Sequence, residues 1–541
     1  MKKLLSLLVL MTISANLWAV QAVIDGIKYE ILKKVGQATV LSNNYTGNIV
    51  IPETVNYEGK ECQVIAISNG AFKNCSKLVS VYIPDNVTDM GTNTFYGCSK
   101  LETVRLGNGI STIGDYAFYI CSMLASIDIP ESVTSIGVYA FSGCKKLTSL
   151  NMPSGLEIIG NRAFEGCSGF TTIIIGDGVT SIGDSAFSGC SNLSTVAISN
   201  SVTTIGGGAF SYTALTSAKI PNNVTTMGAS VFSNCTKLLS AQIGSGLTSL
   251  PNNTFYGCSQ LMSIRLLEGI TSIGERAFQE CTDLIVVVFP NSVTSIQNNA
   301  FKDCTKLYNV GLKEGLTQIG KYAFQGCTDL EYINIPNSVY TIGYCCFKGC
   351  TKLENVMIGS KVYSIDEYAF SYCENLTDVY CYATTVPSAN NSVFYNSFVE
   401  SATTLHVPAS SLNAYSTTAP WSSFGTIEAI DGTPEPEPPV LEKCATPTIS
   451  YAGNQVSFSC TTPGVSFVYD IKVSGATGVA SQVTLKPTYS VSVYATKSGY
   501  EDSSTASMVI TPAVSINGDV NADGAVTISD AVGVVNIILN Q

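Results

Sequence analysis

Charge is scarce in this chain of 541 residues. Only 13% of the residues are Asp, Glu, Lys or Arg, and acids outnumber bases 40 to 28, giving a formal net charge of −12. With no surplus of cations and no basic cluster to replace phosphate counterions, the balance argues against a nucleic-acid partner. Histidine is scarcer still. The single one, His406, would have to serve any Ser/His/Asp or Cys/His mechanism, yet no nucleophile-elbow motif accompanies it. It reads as a structural residue on a strand. No glycine-rich loop of the phosphate-cradling kind occurs. Past the N-terminal leader there is no apolar run of about 18 or more residues, so no transmembrane segment is expected. No cysteine precedes Cys62, which leaves an N-terminal lipid anchor on cysteine without support. What the chain does have is apolar residues, 45% of the total, enough to bury a large core and to exclude overall disorder.

The first 22 residues read as a signal peptide: Lys2 and Lys3, an apolar run from Leu4 to Ile13, then small residues at Ala19 and Ala22, with cleavage after either alanine. The mature chain is therefore expected to be secreted and to act outside the cell or at its surface.

The organising fact is a repeat. Phenylalanine recurs at Phe72, Phe95, Phe118, Phe141, Phe164, Phe187 and Phe210, then at Phe232, Phe255, Phe278, Phe301, Phe324, Phe347 and Phe370. Every step is 23 residues except Phe210 to Phe232, which is 22, because "FSYTAL" replaces the seven-residue "FSGCSNL". The surrounding pattern is A-F-x-x-C-x-x-L-x-x-V-x-I-P-x-x-V-T-x-I-G-x-x. Each copy is one coil of a solenoid that cannot bury its own apolar face and so depends on its neighbours. The Val/Ile pair two residues apart (Val81 and Ile83, Ile127 and Ile129, Ile333 and Ile335) reads as a short strand. One strand per coil predicts a parallel sheet on the order of 65 Å long at ~4.8 Å per strand. Phe, Leu and a second Val/Ile column fill the interior, Ala before Phe marks tight packing, and Gly114, Gly137, Gly160 and Gly183 suggest turns needing positive φ.

This motif resembles the BspA-like leucine-rich repeats of bacterial surface proteins, over roughly residues 23–430. The resemblance implies a secreted or surface-exposed module that binds a host or microbial macromolecule, an extracellular protein or a glycan. It also divides the chain: an N-terminal cap at 23–70 ("VIDGIKYEIL", "NIVIPETVNYEGKECQVIAI"), repeats at 71–382, and a C-terminal cap at 383–430 ("TTLHVPASSLNAY", then Trp421 and Phe424).

The chain has 19 cysteines, which in a secreted protein invites a disulfide framework. Thirteen of them, Cys75 to Cys373, stand three residues after the repeat Phe, with Thr213 in the fourteenth copy. Neighbouring coils are within disulfide reach, but parallel inward side chains rarely meet the required torsion. The main reading is reduced thiols acting as small buried fillers. A metal ladder is the alternative, without His partners to favour it. Cys346, in the Ala column, fits the filler reading, and Cys444 and Cys460 are candidates for one disulfide in a later domain.

Between the two buried strand positions lies one outward residue per coil: Tyr82, Arg105, Asp128, Asn151, Ile174, Ala197, Lys219, Gln242, Arg265, Val288, Gly311, Asn334, Met357 and Tyr380. The bland reading is a solvated face that tolerates anything. The sharper one is a shaped binding strip, with Tyr82, Arg105, Ile174, Arg265, Val288, Met357 and Tyr380 as ligand-binding candidates. The repeat acids Asp85, Glu131, Asp177, Glu268 and Glu314 recur at a loop position, as a solvated turn would, rather than as paired catalytic carboxylates. The chain reads as non-catalytic.

Residues 431–440, with "DGTPEPEPP" at 431–439, form a Pro/Glu linker. Residues 441–512 alternate apolar and polar in short runs, which suggests a small antiparallel β-sandwich. They resemble the immunoglobulin-like accessory domain of chitobiase-type C-terminal modules. In the tail, 513–541, Asp519, Asn521, Asp523, Thr527 and Asp530 occupy positions 1, 3, 5, 9 and 12 of an EF-hand-type calcium loop, with Gly524 at 6. An exiting helix should follow, with Val532, Val535 and Ile538 or Leu539 on its apolar face. With Asp at position 12 and no preceding helix, the tail resembles one repeat of a type I dockerin. That resemblance implies calcium as cofactor and a cohesin-type scaffold as partner, so the alternative role is a non-catalytic component of a polysaccharide-degrading assembly. Dockerins usually carry two loops and this chain has one.

Overall fold

The structure is a computed structural model that describes residues 19–397 and 403–430. Beyond these it describes 442–443, 445–452, 455–461, 466–474, 488–496, 500–501, 506–510 and 536–539. The chain divides into two units, Met1–Asp431 and Gly432–Gln541. Among the described residues no helix is long and apolar enough to cross a membrane.

The first unit is a parallel-sheet β-solenoid of about 17 turns. Each coil has three sides. On the first side the expected strand forms where aliphatic residues flank an outward residue, as in Thr103–Arg105 and Ser126–Asp128, except at Leu150-Asn151-Met152, where a single bridge joins Asn151 to Asp128. These strands pair in parallel with the repeat in register, Ser126 against Thr103, Ile127 against Val104 and Asp128 against Arg105. Proline ends the strand because it has no amide to continue the ladder. Its carbonyl then accepts the Val three residues on, as in Val133 to Pro130 at 3.0 Å. On the second side, two-residue strands such as Thr112–Ile113 and Ser135–Ile136 stack into two six-stranded parallel sheets. The third side is a double turn carrying Ala and Phe. Successive turns are joined by backbone bonds, Phe118 N–H to the Ala140 carbonyl and Phe141 N–H to that of Ala163, each at 2.7 Å.

The interior is a column of phenylalanines. All fourteen are fully buried, and neighbouring rings stack with centroids 4.9 to 5.9 Å apart. Each such pair adds about 0.5–1.5 kcal/mol beyond its buried area. The column outruns the fourteen repeats. Tyr45 packs on Phe72 at 4.7 Å, and Phe394 continues from Phe370 at 5.7 Å. Residues up to Ser397 thus form one more coil, and Ser397 takes the cysteine's place, its hydroxyl donating to the Phe370 carbonyl.

The thirteen column cysteines are buried and unpaired. They do more than fill space: from Cys98 to Cys373, twelve donate to the carbonyl of the Phe one coil earlier, at 2.9 to 3.3 Å. Burial pushes the thiols up, Cys98 and Cys190 to about 12 and Cys235 to about 11. Cys346 is likewise buried, in the Ala column. Cys444 lies outside the described residues, and Cys460 donates to the Ala445 carbonyl at 3.1 Å.

The glycine expectation needs correcting. Gly160 and Gly183 do not have positive φ. A Cβ on Gly160 would sit 2.7 Å from the Gly137 carbonyl carbon, and one on Gly183 would sit 2.5 Å from the Asn161 nitrogen. Close approach of successive coils, rather than backbone handedness, excludes a side chain there. The positive φ falls two residues later, on Tyr116 (56°), Tyr139 (54°) and Arg162 (56°).

At the N-terminus, Ala19–Ile24, Ile27–Leu32 and Gln37–Val40 pair antiparallel. The first of these strands runs across the boundary expected at residue 22. Gln37–Val40 then joins Lys60–Ile67 in parallel, which leads into the second side through Asp89–Met90. Thr46–Val50 starts the first side by pairing with Lys77–Tyr82. At the far end Thr404–Pro408 and Thr426–Ile430 extend the first side. The short helix Leu412–Thr417 and a buried Trp421, whose indole donates to the Pro387 carbonyl at 3.1 Å, cover the last coil.

In the second unit Ser466–Ser474, Thr488–Thr496 and Ala506–Ile510 form an antiparallel sheet, and Thr448–Ala452 pairs antiparallel with Gln455–Ser459. Two pairings are parallel, Glu442–Lys443 with Tyr500–Glu501 and Gln455–Ser459 with Asn536–Leu539. The second of these corrects the helix expected to follow the calcium loop. Its last residues are a strand, consistent with the β-branched pair Ile537–Ile538. Asp519, Asn521, Asp523, Thr527 and Asp530 lie outside the described residues, as do Val532 and Val535.

Candidate binding surface

Strand register sets the outward column of the first side. Tyr82 stands opposite Arg105, and Arg105 opposite Asp128. The Arg105 guanidinium lies over the Tyr82 ring, 4.6 Å from its centre. It also pairs with Asp85 at 3.1 Å and donates to the Ile83 carbonyl at 3.1 Å. The Asn108 backbone amide, and after it Arg105, hold the Asp85 carboxyl below its usual range against the opposing effect of burial. Tyr82 and Arg105 are therefore a fixed pair, exposed at the N-terminal end of the strip.

Farther along, Ile174 is 56% exposed and Val288 43%. Ile174 is in register with Ala197, and Val288 with Gly311. Each bulky apolar side chain thus has a small neighbour beside it, which leaves its flank open as well as its tip. Arg265 is exposed beside the half-buried Gln242.

Met357 does not belong to the strip. It is fully buried, with its sulfur 2.6 Å from the Tyr332 hydroxyl. Tyr332 precedes the outward Asn334 by two residues and so shares its face, where it covers the flexible thioether of the next coil. Tyr380, in register with Met357, is half-buried and stacks on His406 at 4.1 Å with rings 5° from parallel.

His406 and its surroundings are the part of this face the repeat did not reveal. The signal was present: Leu405-His406-Val407-Pro408 repeats the V-x-I-P strand motif and puts His406 in the outward column. Its Nε2 lies 2.9 Å from Asp378 and its Nδ1 3.1 Å from Glu428. Both ring nitrogens are thus engaged by carboxylates, and neither faces a nucleophile. Burial, then Asp378 and Glu428, raise the Tyr380 phenol, and burial with Glu331 and Glu354 does the same for Tyr308. The C-terminal end of the face is acidic and aromatic.

The repeat acids have a structural task. Glu131 accepts the Ser154 amide at 2.9 Å, Glu268 the Asn291 amide at 3.1 Å, and Glu314 the Asn337 amide at 3.1 Å, each from the following coil. They tie coil to coil. Among the described residues no cluster of three or more His, Cys, Asp or Glu suited to a metal ion occurs.

Comparison with curated proteins returns no match. Among solved structures, the chain is similar to a leucine-rich repeat protein from Bacteroides ovatus, at 30% identity over 59% of this chain and 95% of that one, with a TM-score of 0.44. It is also similar to a leucine-rich cell surface protein from Faecalibacterium prausnitzii, at 26% identity over 76% and 95% of the two chains, with a TM-score of 0.39. A leucine-rich repeat protein of T. pallidum matches at 27% identity over 39% and 87%, with a TM-score of 0.32. The family described as "BspA type Leucine rich repeat region (6 copies)" matches four overlapping spans, residues 33–169, 112–239, 157–285 and 271–401. These spans take in most of the solenoid, and the chain belongs to the BspA-type leucine-rich repeat family.

Proposed function

We propose that the chain acts at the cell surface or outside the cell as a non-catalytic binding protein, and that a protein partner docks on the outward face of the first sheet. Members of the BspA-type family are typically cell-surface proteins. The observation that carries the reading is the pair of exposed apolar side chains with small flanking residues, Ile174 beside Ala197 and Val288 beside Gly311, held on a stacked scaffold. Isolated apolar groups on a rigid surface with open flanks suit the pockets or ridges of a folded partner. The test is to probe the purified mature chain against an array of matrix proteins and mucins, then repeat the hits with Ile174→Asp plus Val288→Asp. Saturable capture that the double variant loses supports the reading. Capture unaffected by both substitutions, or no capture at all, removes it.

The tail rests on its sequence pattern alone. The proposed calcium ligands are Asp519, Asn521, Asp523, Thr527 and Asp530, alternating oxygens around a hard cation. Calorimetric titration of the full chain with calcium should give one saturable event that Asp519→Ala plus Asp523→Ala abolishes; an unchanged titration would refute the site. An immunoglobulin-like accessory domain at 441–512 and docking of the tail to a cohesin-bearing scaffold are part of the same proposal. A calcium-dependent pull-down with such a scaffold decides the second, since failure of capture with calcium present removes it.

A further inference from the structure

The third side of the solenoid carries a feature that neither the fold nor the sheet-face reading uses. In four successive coils one tyrosine projects from the double turn: Tyr322, Tyr344, Tyr368 and Tyr395. Ring centres advance by 5.3, 6.0 and 6.3 Å, each ring 79° to 83° from the last. Tyr372 packs against Tyr395 at 5.7 Å, and the Lys348 ammonium lies over Tyr368 at 5.9 Å and over Tyr372 at 5.5 Å. Tyr395 is 49% exposed and Tyr372 36%, while the other three are half-buried. The turn does not need these rings. Ser185 and Asn299 stand at the turn position of Tyr322 and Tyr368, with the same left-handed backbone, while Tyr344 and Tyr395 reach the row from neighbouring positions of the same turn. A second group lies near the other end of the array, where Tyr116 and Tyr139 stack at 5.0 Å and Tyr96 and Tyr119 at 4.9 Å. There too cations lie over the rings, Lys73 over Tyr96 and Arg162 over Tyr139.

We propose that the tyrosine row from Tyr322 to Tyr395 is a carbohydrate-binding surface, and that its occupant is a neutral oligosaccharide chain lying along the solenoid axis. A pyranose has an apolar C–H face rimmed by hydroxyls. A tyrosine ring offers it a flat, polarisable face, and the phenol offers a hydrogen-bond partner at the rim. An extended glycan advances by about one coil spacing per sugar, so a chain lying along the row meets one tyrosine per coil, by ring face or by ring edge as the orientation alternates. Charge points the same way. The Lys348 cation is spread over two ring faces, and the nearby Glu367 carboxylate accepts the Asn390 amide at 2.8 Å. The strip is close to neutral in a chain of net charge −12, which suits a polyol better than a polyanion. Its one-ring width, without the broad apolar centre of a protein interface, suits a single chain.

This surface is separate from the sheet face, so the two can fail independently. Affinity electrophoresis of the full chain in gels containing a soluble neutral β-glucan should retard migration. Calorimetry with the derived oligosaccharide should then show Tyr368→Ala plus Tyr395→Ala weakening binding at least about ten-fold, the equivalent of losing one stacking contact. Tyr368→Phe plus Tyr395→Phe keeps the rings and should retain most of the affinity, which separates lost stacking from lost folding. Ile174→Asp plus Val288→Asp should leave glucan binding unchanged while testing the protein partner. Three outcomes would overturn the proposal: no retardation by neutral glycans, affinity indifferent to loss of both rings in a folded variant, or binding only to sialylated glycans through Lys348.

Discussion

The Cys144 thiol donates to the Phe118 carbonyl oxygen at 3.2 Å, and the same oxygen accepts the Cys121 amide at 3.1 Å. One carbonyl thereby closes a turn within its own coil and receives a side chain from the next. The arrangement explains how the chain keeps a column of cysteines without pairing them: each sulfur already has a partner in a direction set by the stack. Because the amide bond remains when the thiol is removed, Cys144→Ala leaves no orphaned acceptor. The expected cost is about 1–2 kcal/mol, a weak donor plus a small void, read as a shift in the urea midpoint. A loss above about 4 kcal/mol would show that the column has another structural role.

Alkaline pH should weaken the fold. The Cys98 and Cys190 thiols are raised from 9.0 to about 12 and Cys235 to about 11, mainly by burial. The folded state therefore favours the neutral thiol, whereas the unfolded chain gives up its proton from about pH 9 upward. The stabilisation is fully present below pH 9 and is lost as pH rises toward 11 to 12. The urea midpoint should hold between about pH 7 and pH 8.5 and fall by about pH 10.5. Over the lower range the column thiols should resist alkylation in the folded protein and react fully once unfolded. Rapid native-state alkylation of most of them would contradict the burial.

The coil, its inward columns and its parallel pairing were legible because a fixed interval of 23 residues repeats the same apolar set. What lies over an outward residue was not, because the period says nothing about neighbours that differ from coil to coil. Met357 sits in the outward column by spacing, yet Tyr332 covers it from the previous strand. His406 was legible as a strand residue, but its place in the outward column was hidden for a different reason. Its strand follows that of Tyr380 by 26 residues rather than 23, so a search by interval passed over a motif that matched by pattern. The glycines were placed correctly and explained wrongly, since a sequence shows that a side chain is missing and not which neighbour excludes it.

Two residues of the same column should separate stability from binding. Met357→Ala removes a fully buried side chain and should cost about 2–4 kcal/mol. Ile174→Ala changes a side chain that is 56% exposed and should stay within about 0.5 kcal/mol. If Ile174 belongs to the docking face, its substitution weakens partner capture without moving the thermal midpoint. Equal midpoint shifts in the two variants would contradict the burial difference.

The array should open first in the middle, where one coil is a residue short. Phe210 is followed by Phe232 after 22 residues, and that ring pair is the widest in the fourteen-ring column, 5.9 Å, against 4.9 to 5.3 Å from Phe278 to Phe370. Thr213 stands where the cysteine would be, and its hydroxyl donates to Phe210 of its own coil at 2.9 Å, so the side-chain bond to Phe187 is absent. The first-side sheet, which also breaks between Ser126–Asp128 and Thr172–Ile175 and between Asn309–Gly311 and Tyr332–Ile335, is interrupted here between Thr195–Ile198 and Ser217–Lys219, where the short coil adds to the break. The second-side sheet breaks one coil later, between Thr226–Met227 and Ser249–Leu250. In a solenoid, stability is nearly a sum of coil and neighbour-interface contributions, so a weak interface lowers the cost of separating the blocks on either side. Hydrogen exchange followed by mass spectrometry should therefore find, away from the two ends, the fastest exchange between about residues 199 and 250. The coils from Phe95 to Phe164 and from Phe301 to Phe347 should exchange more slowly, each as a block. Uniform protection across the short coil would mean that the Phe210–Phe232 interface is as strong as its neighbours despite the missing residue and the missing thiol.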